Sequence, residues 1–176
     1  MKNAFGKRRV ALCALAACFA LAVLFVEDAS AQRVRTDPRA CRDAQLSVRD
    51  IGGDAAMGGA RSIAYAFRNI SRTPCTMEGY PRFEVLNRSG RVVRLGRARE
   101  YEMRPVSVTI EPRMTAVFSV NYNAGGAGRT GKPCPTYPRV RITAPGNRRG
   151  VVLRADIQLC GEVEVLPVGP PPGVRP

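Results

Sequence analysis

Thr115-Ala116-Val117-Phe118-Ser119-Val120-Asn121-Tyr122 is the cleanest period-two run in the chain: Ala116, Phe118, Val120 and Tyr122 fall on one side of it. A strand sends successive side chains to opposite faces, so this spacing predicts a strand with one apolar face. Outward from it the same period returns. Val106, Val108 and Ile110 alternate with Ser107 and Thr109, and Ile63, Tyr65 and Phe67 alternate with Ala64, Ala66 and Arg68. Phe83 and Val85 precede the turn cluster Asn87-Arg88-Ser89-Gly90, after which Val92 to Leu95 resumes. Val140 and Ile142, Val151 to Leu159, and Val163 with Val165 follow, while Gln45 to Ile51 is short and mixed. Segments of this kind, bounded by Gly, Pro, Asn and Ser at roughly 8–12-residue steps, predict a sandwich or barrel. Beyond the first 31 residues no 3.6-residue stripe exceeds two turns, so the expected fold class is all-β.

The two ends read differently. Lys2, Lys7, Arg8 and Arg9 precede the uncharged apolar run Val10 to Val26, and Ala29-Ser30-Ala31 offers a small-x-small cleavage site before Gln32. This predicts a signal peptide over residues 1–31 and an exported, periplasmic or extracellular protein. Three other readings carry less: a 17-residue anchor near the lower limit for a spanning helix, a lipidated Cys18, and twin-arginine export. The mature form is therefore expected not to span a membrane. Residues 32–40 read as a linker and 41–168 as the β-sandwich domain. Pro167 to Pro176, with Pro170-Pro171-Pro172, reads as extended, and 169–176 as a disordered tail.

Cysteine usage agrees with export. Cys13 and Cys18 leave with the leader, so Cys41, Cys75, Cys134 and Cys160 remain, an even number for an oxidising compartment. Cys134 and Cys160 are equidistant from Asn147, inside the turn-like Ala144-Pro145-Gly146-Asn147-Arg148-Arg149-Gly150. A hairpin there brings them together. Pairing Ile142 with Val151 and Val140 with Leu153 shifts the register by one, an offset that Pro133, Pro135 and Pro138 must absorb. This predicts Cys134–Cys160 and leaves Cys41–Cys75, each contributing roughly 3–4 kcal/mol by restricting the unfolded chain. The cysteines lack the close pairs of a zinc site, so no metal or cofactor is expected.

Asn69-Ile70-Ser71-Arg72-Thr73-Pro74-Cys75-Thr76-Met77-Glu78-Gly79-Tyr80-Pro81 resembles the signature N-x-S-x-x-P-C-x-hydrophobic-x-G-Y-P of a secreted bacterial family catalogued as domain of unknown function 4232. Cys41, Gly90, Ile110, Pro112, Phe118, Cys134 and Cys160-Gly161 extend the resemblance from Cys41 to Val168. Arg82 and Arg113 depart from it, standing where the family often has glycine after proline. The resemblance implies an immunoglobulin-like antiparallel β-sandwich with two disulfides, and no activity.

Catalytic chemistry is narrowed by exclusion. The chain has no histidine, which removes Ser-His-Asp and Cys-His arrangements and His-ligated metals. Four bridged cysteines leave no thiolate. Glu162 and Glu164 share a strand face, expected to be its solvent side, and Asp50 and Asp54 flank Gly52-Gly53 in what reads as a turn. Gly126-Ala127-Gly128-Arg129-Thr130-Gly131-Lys132 satisfies G-x-x-x-x-G-K, but Pro133 replaces the magnesium-binding hydroxyl and lacks an N–H for a phosphate nest. The sequons at Asn69 and Asn87 read as turns rather than glycan sites. The expected protein is not an enzyme.

Charge is what remains. Without the leader the chain keeps 24 basic and 12 acidic residues, a net of +12, and Lys132 is the single lysine among those 24. Arg88, Arg91, Arg94, Arg97, Arg99 and Arg104 fall within 17 residues, opposed by Glu100 and Glu102. Arg139, Arg141, Arg148, Arg149 and Arg154 crowd the predicted hairpin. Arg88, Arg91, Arg94, Arg97, Arg99, Arg139, Arg141, Arg148 and Arg149 are the anion-binding candidates, for non-specific attraction to phospholipid or lipopolysaccharide headgroups, teichoic acid, extracellular nucleic acid, other anionic envelope polymers or a protein partner. Specific nucleic-acid binding is not expected, because no aromatic stacking platform interleaves with the arginines. The alternatives are a structural subunit adding its edge strands to partners, and a carboxylate-dependent hydrolase.

Overall fold

The computed structural model describes residues 38–55, 57–98, 103–125 and 133–173. The leader 1–31, Arg99 and the run Gly126 to Lys132 lie outside these residues. The chain forms strands β1 Leu46–Ala55, β2 Ala60–Asn69, β3 Cys75–Met77, β4 Arg82–Leu86, β5 Val92–Leu95 and β6 Arg97–Ala98, and apolar alternation is strong in β2 and β4. β7 is Val108–Ile110, β8 Thr115–Asn123, β9 Thr136–Thr143, β10 Val151–Gln158 and β11 Cys160–Val165. One sheet has the order β1-β2-β8-β11-β6, a second β10-β9-β4-β5, and β3 pairs with β7. All pairs are antiparallel except β6 with β11, which is parallel.

The two larger sheets bury the alternating residues against each other. Tyr65, Phe67, Phe118, Val120, Val163 and Val165 of the first meet Phe83, Val85, Val140, Ile142 and Ile157 of the second in one core. Tyr65 and Phe83 make ring contact across the layers at 5.6 Å, and Phe118 stacks on Tyr65 and Phe67 at 5.5 and 5.3 Å. Each such side chain, fully buried, contributes about 1.5–3 kcal/mol. The chain is an all-β protein with two disulfides.

The hairpin has the expected register: Ile142 faces Val151 and Val140 faces Leu153. The one-residue offset is a bulge in which Ala155 and Asp156 oppose Pro138. Pro138 has no N–H to give the ladder, so the extra residue sits where a bond is already missing. Beyond the bulge, Leu159 ends the four-stranded sheet by donating to the Pro135 carbonyl, and Cys160 opens β11 of the other sheet. The Cys134–Cys160 bridge pins this crossing of layers, and Cys41–Cys75 ties the segment before β1 to the start of β3.

Several expectations are corrected. Asp50 and Asp54 do not flank a turn: β1 continues through Gly52-Gly53, with a bulge between Asp50 and Gly52. Gly52 takes φ +96°, which suits glycine, and its N–H is held by Asp50 Oδ1 at 2.7 Å. Val106 precedes β7 and is exposed, because strand pairing begins only at Val108. Ala40 bridges Thr76 in parallel, and Gly169, placed in the tail from sequence, exchanges both backbone hydrogen bonds with Val117 at 2.8 and 2.9 Å.

Candidate functional site

The signature segment is structural. Asn69 is fully buried at the end of β2; its Nδ2 donates to the carbonyls of Thr73 and Ile110 at 2.8 and 2.9 Å. Its Oδ1 accepts from the N–H and hydroxyl of Ser71 at 2.9 and 2.7 Å. The amide thus ties the β2–β3 loop to β7. A short polar side chain with two donors and an acceptor is what that corner requires, which accounts for the N-x-S pattern. Arg113 adopts φ +70° in the turn Glu111-Pro112-Arg113-Met114, closed by Met114 N–H to the Glu111 carbonyl at 2.9 Å. That is the third position of a turn that favours glycine, so arginine here is a local strain.

The described arginine candidates separate into four groups. Arg141 and Arg139 are engaged within the protein. Glu84 projects from the outer face of β4 yet has only 5% of its side chain exposed, and it receives Arg82 Nη2 at 2.8 Å and Arg141 Nη1 at 3.1 Å. Arg139 donates to the carbonyls of Asn87 and Arg88, bracing the β4–β5 turn. Arg97, on β6, pairs with Glu162 of the neighbouring β11 at 3.3 Å, both exposed. Arg148 and Arg149 are exposed in the β9–β10 turn, where the Arg149 N–H donates to Asp43. Arg88, Arg91 and Arg94 are exposed along the β4–β5 hairpin.

One groove of about 770 Å³ brings some of them together, lined by Arg88, Arg139, Arg154, Asp50, Asp156 and neighbouring residues. It lies where β1, an edge of the first sheet, approaches β10, an edge of the second. Arg88 comes from the turn after β4, Arg139 from β9 and Arg154 from β10, so sequence distance hides the cluster. The signal that finds it is the register, in which Arg154 faces Arg139 across the hairpin and Arg139 faces Leu86, two residues before Arg88. The groove holds three guanidiniums and two carboxylates.

The outer face of the five-stranded sheet differs. Asp54, Ser62, Asn121 and Glu164 form one row across β1, β2, β8 and β11, each in register with the next. This row, with Glu162 and Tyr122, lines a cleft of about 470 Å³. Inside the mouth of the sandwich, Tyr65 is buried and its hydroxyl has no protein partner. Burial, then the Asp50 charge, then Tyr122 push its pKa far above the ordinary phenol range. Tyr122 is also raised by burial, against the pull of Arg61. Among the described residues no group of three metal-ligating side chains is gathered, and no helix is long and apolar enough to cross a membrane.

The family model described as "Domain of unknown function (DUF4232)" matches residues 41–170. No curated protein matches the chain. A solved structure described as "X-ray structure of Northeast Structural Genomics Consortium target SoR45" is similar at 11% identity over 73% of this chain and 86% of that one, with a TM-score of 0.19.

Proposed function

Because the chain belongs to the DUF4232 family, whose description assigns no activity, we propose from its own surface that it is an exported, non-catalytic module that binds anionic envelope or extracellular polymers. The observation that carries this is the groove lined by Arg88, Arg139 and Arg154, with Arg91 and Arg94 exposed elsewhere on the β4–β5 hairpin. Guanidinium forks suit phosphate and carboxylate, and an exposed site in a protein of this net charge acts first by attraction. The leader-like start and the two disulfides support export. The absence of histidine and the bridging of all four remaining cysteines support binding over catalysis.

The test is a titration of purified protein against inorganic polyphosphate and anionic vesicles at rising salt. Exposed charge contacts are screened beyond ~8 Å at physiological ionic strength, so binding is expected to weaken steeply. Replacing Arg88, Arg91, Arg94 and Arg154 together by alanine should abolish it without unfolding. Salt-insensitive binding, or an unaffected quadruple variant, rejects the reading. Mass spectrometry of the exported form should find Gln32 at the amino terminus; an intact Met1 rejects cleavage.

A carboxylate-dependent hydrolase is the second reading, favoured by the cleft where Asp54, Glu162 and Glu164 gather. Arg97 already occupies Glu162, which weakens it. Turnover lost on replacing Asp54 or Glu164 alone would establish it instead. Strand addition is less favoured still: β1 and β10 are both bulged, and bulged edges pair poorly with a newcomer.

A further inference from the structure

The face of the four-stranded sheet turned away from the core has a composition of its own. Register decides which residues share it, because Phe83, Val85, Val140 and Ile142 point inward. One row across it is Val152, Arg141, Glu84 and Leu95, each paired with the next. The row beside it is Arg154, Arg139, Leu86 and Val92, and Arg82, paired with Thr143, belongs to a third. Strand spacing makes each four-strand row roughly 14 Å long. The carboxylate on these rows, Glu84, is buried beneath Arg82 and Arg141, so an approaching surface meets the guanidiniums and not their counter-charge. Asp156 lies past the second row, in the β10 bulge. On the two flanking strands, Val92 and Leu95 of β5 and Val152 of β10 stand 46%, 51% and 46% exposed. A single aliphatic residue in water is ordinary, but three on one sheet face, set among arginines, mark a contact surface.

The occupant must answer both kinds of side chain. Inorganic polyphosphate would engage the arginines and leave the three aliphatic groups in water. A second copy of the chain fits poorly: its own four-stranded face repeats the arginines, and the carboxylate row of its five-stranded face has Ser62 and Asn121 at the centre, which answer no aliphatic group. An anionic bilayer presents phosphates at its surface and an apolar zone just beneath, and arginine stems let the guanidiniums stay at the phosphates while shorter side chains go deeper. We propose that the outer face of the four-stranded sheet docks on an anionic lipid bilayer, with Arg82 and Arg154 among the phosphates and Val92, Leu95 and Val152 at the boundary with the acyl chains. This rests on the anion-binding reading above and names its partner.

The experiment measures affinity of the protein, produced from its full coding chain in an exporting host, for mixed phosphatidylglycerol–phosphatidylcholine vesicles, phosphatidylcholine vesicles and inorganic polyphosphate. Val92→Ser, Leu95→Ser and Val152→Ser are combined in one variant, with circular dichroism and the thermal midpoint verifying its fold. It should bind the anionic vesicles about tenfold or more weakly, while its polyphosphate affinity stays within twofold of the parent. The chain has no tryptophan, so Val152→Trp and Ser62→Trp each place a single reporter, one on the outer face of each large sheet. Emission at Val152→Trp should shift to the blue on anionic vesicles and that at Ser62→Trp should not, a readout that does not depend on the triple variant folding. If the folded triple variant keeps its anionic-vesicle affinity within twofold, or the shift occurs at Ser62→Trp instead, the docking falls while the anion-binding reading stands. Equal binding to phosphatidylcholine alone, or a dimer of the parent that anionic vesicles do not dissociate, also overturns it. If neither vesicles nor polyphosphate bind at low salt, both readings fall together.

Discussion

The two large sheets present the same face to the core and opposite faces to the outside. On the inner side, Phe118 and Val120 in one are matched by Val85 and Val140 in the other, all buried. Outside, the four-stranded sheet sinks a carboxylate, Glu84, beneath two arginines, whereas the five-stranded sheet carries its carboxylates in an open row. The difference lies in how charge is held: in the four-stranded sheet an ion pair is part of the packing, and in the five-stranded sheet the pair of Glu162 with Arg97 is exposed on both sides.

The staple joining the layers tests how far each sheet depends on the other. Replacing Cys134 and Cys160 by serine should cost about 3.5 kcal/mol for a loop of this length, read as a drop in urea midpoint. A loss as large but confined to hydrogen-exchange protection of β10 and β11 would mean that the layers fold apart. Glu84→Ala should cost about 2 kcal/mol: it leaves two cations without their anion, although Arg82 and Arg141, 65% and 36% exposed, can partly rehydrate. A neutral result would place Glu84 with the open carboxylates and erase the contrast.

High pH tests the mouth of the sandwich. Tyr65 keeps its proton in the folded state beyond the range where the unfolded chain releases it. The folded state then binds more protons, so stability falls as pH rises above about 10, by roughly 1.4 kcal/mol per pH unit. Ultraviolet titration should show a phenol that ionises only on unfolding, and Tyr65→Phe should remove that slope. Arg113→Gly should stabilise by about 0.5–1 kcal/mol, since relief of the left-handed backbone exceeds the added freedom of the unfolded chain. Smallest of all, Glu162→Gln should change stability by less than about 0.5 kcal/mol, because its pair with Arg97 is exposed on both sides. A cost near that of Glu84 would again break the comparison.

The inner faces were legible in the sequence because they obey a period. Ile63, Tyr65 and Phe67, the register of Val140 and Ile142 against β10, and both disulfides follow from alternation and from the symmetry about Asn147. The outer faces obey none. Nothing local marks Arg139 and Arg141 as internally engaged while Arg88 and Arg154 stay free; that depends on where Glu84 and the Asn87 and Arg88 carbonyls end up. β6, two residues in an arginine-rich stretch, has no pattern to find and is created by β11 beside it. The Gly52-Gly53 pair misleads for a physical reason: the glycine freedom that makes a turn also makes a bulge inside a strand.

The two bridges enclose residues 41–75 and 134–160, and between them runs the stretch that contains β4 to β8. If the chain is pulled from its ends, the enclosed loops stay shut and only the stretch between Cys75 and Cys134, apart from the terminal segments, can pay out, roughly 200 Å at full extension. Reduction of both bridges about doubles that reach. The oxidation state of four sulfurs thus sets the contour length of the molecule under load, a mechanical property independent of what the surface binds.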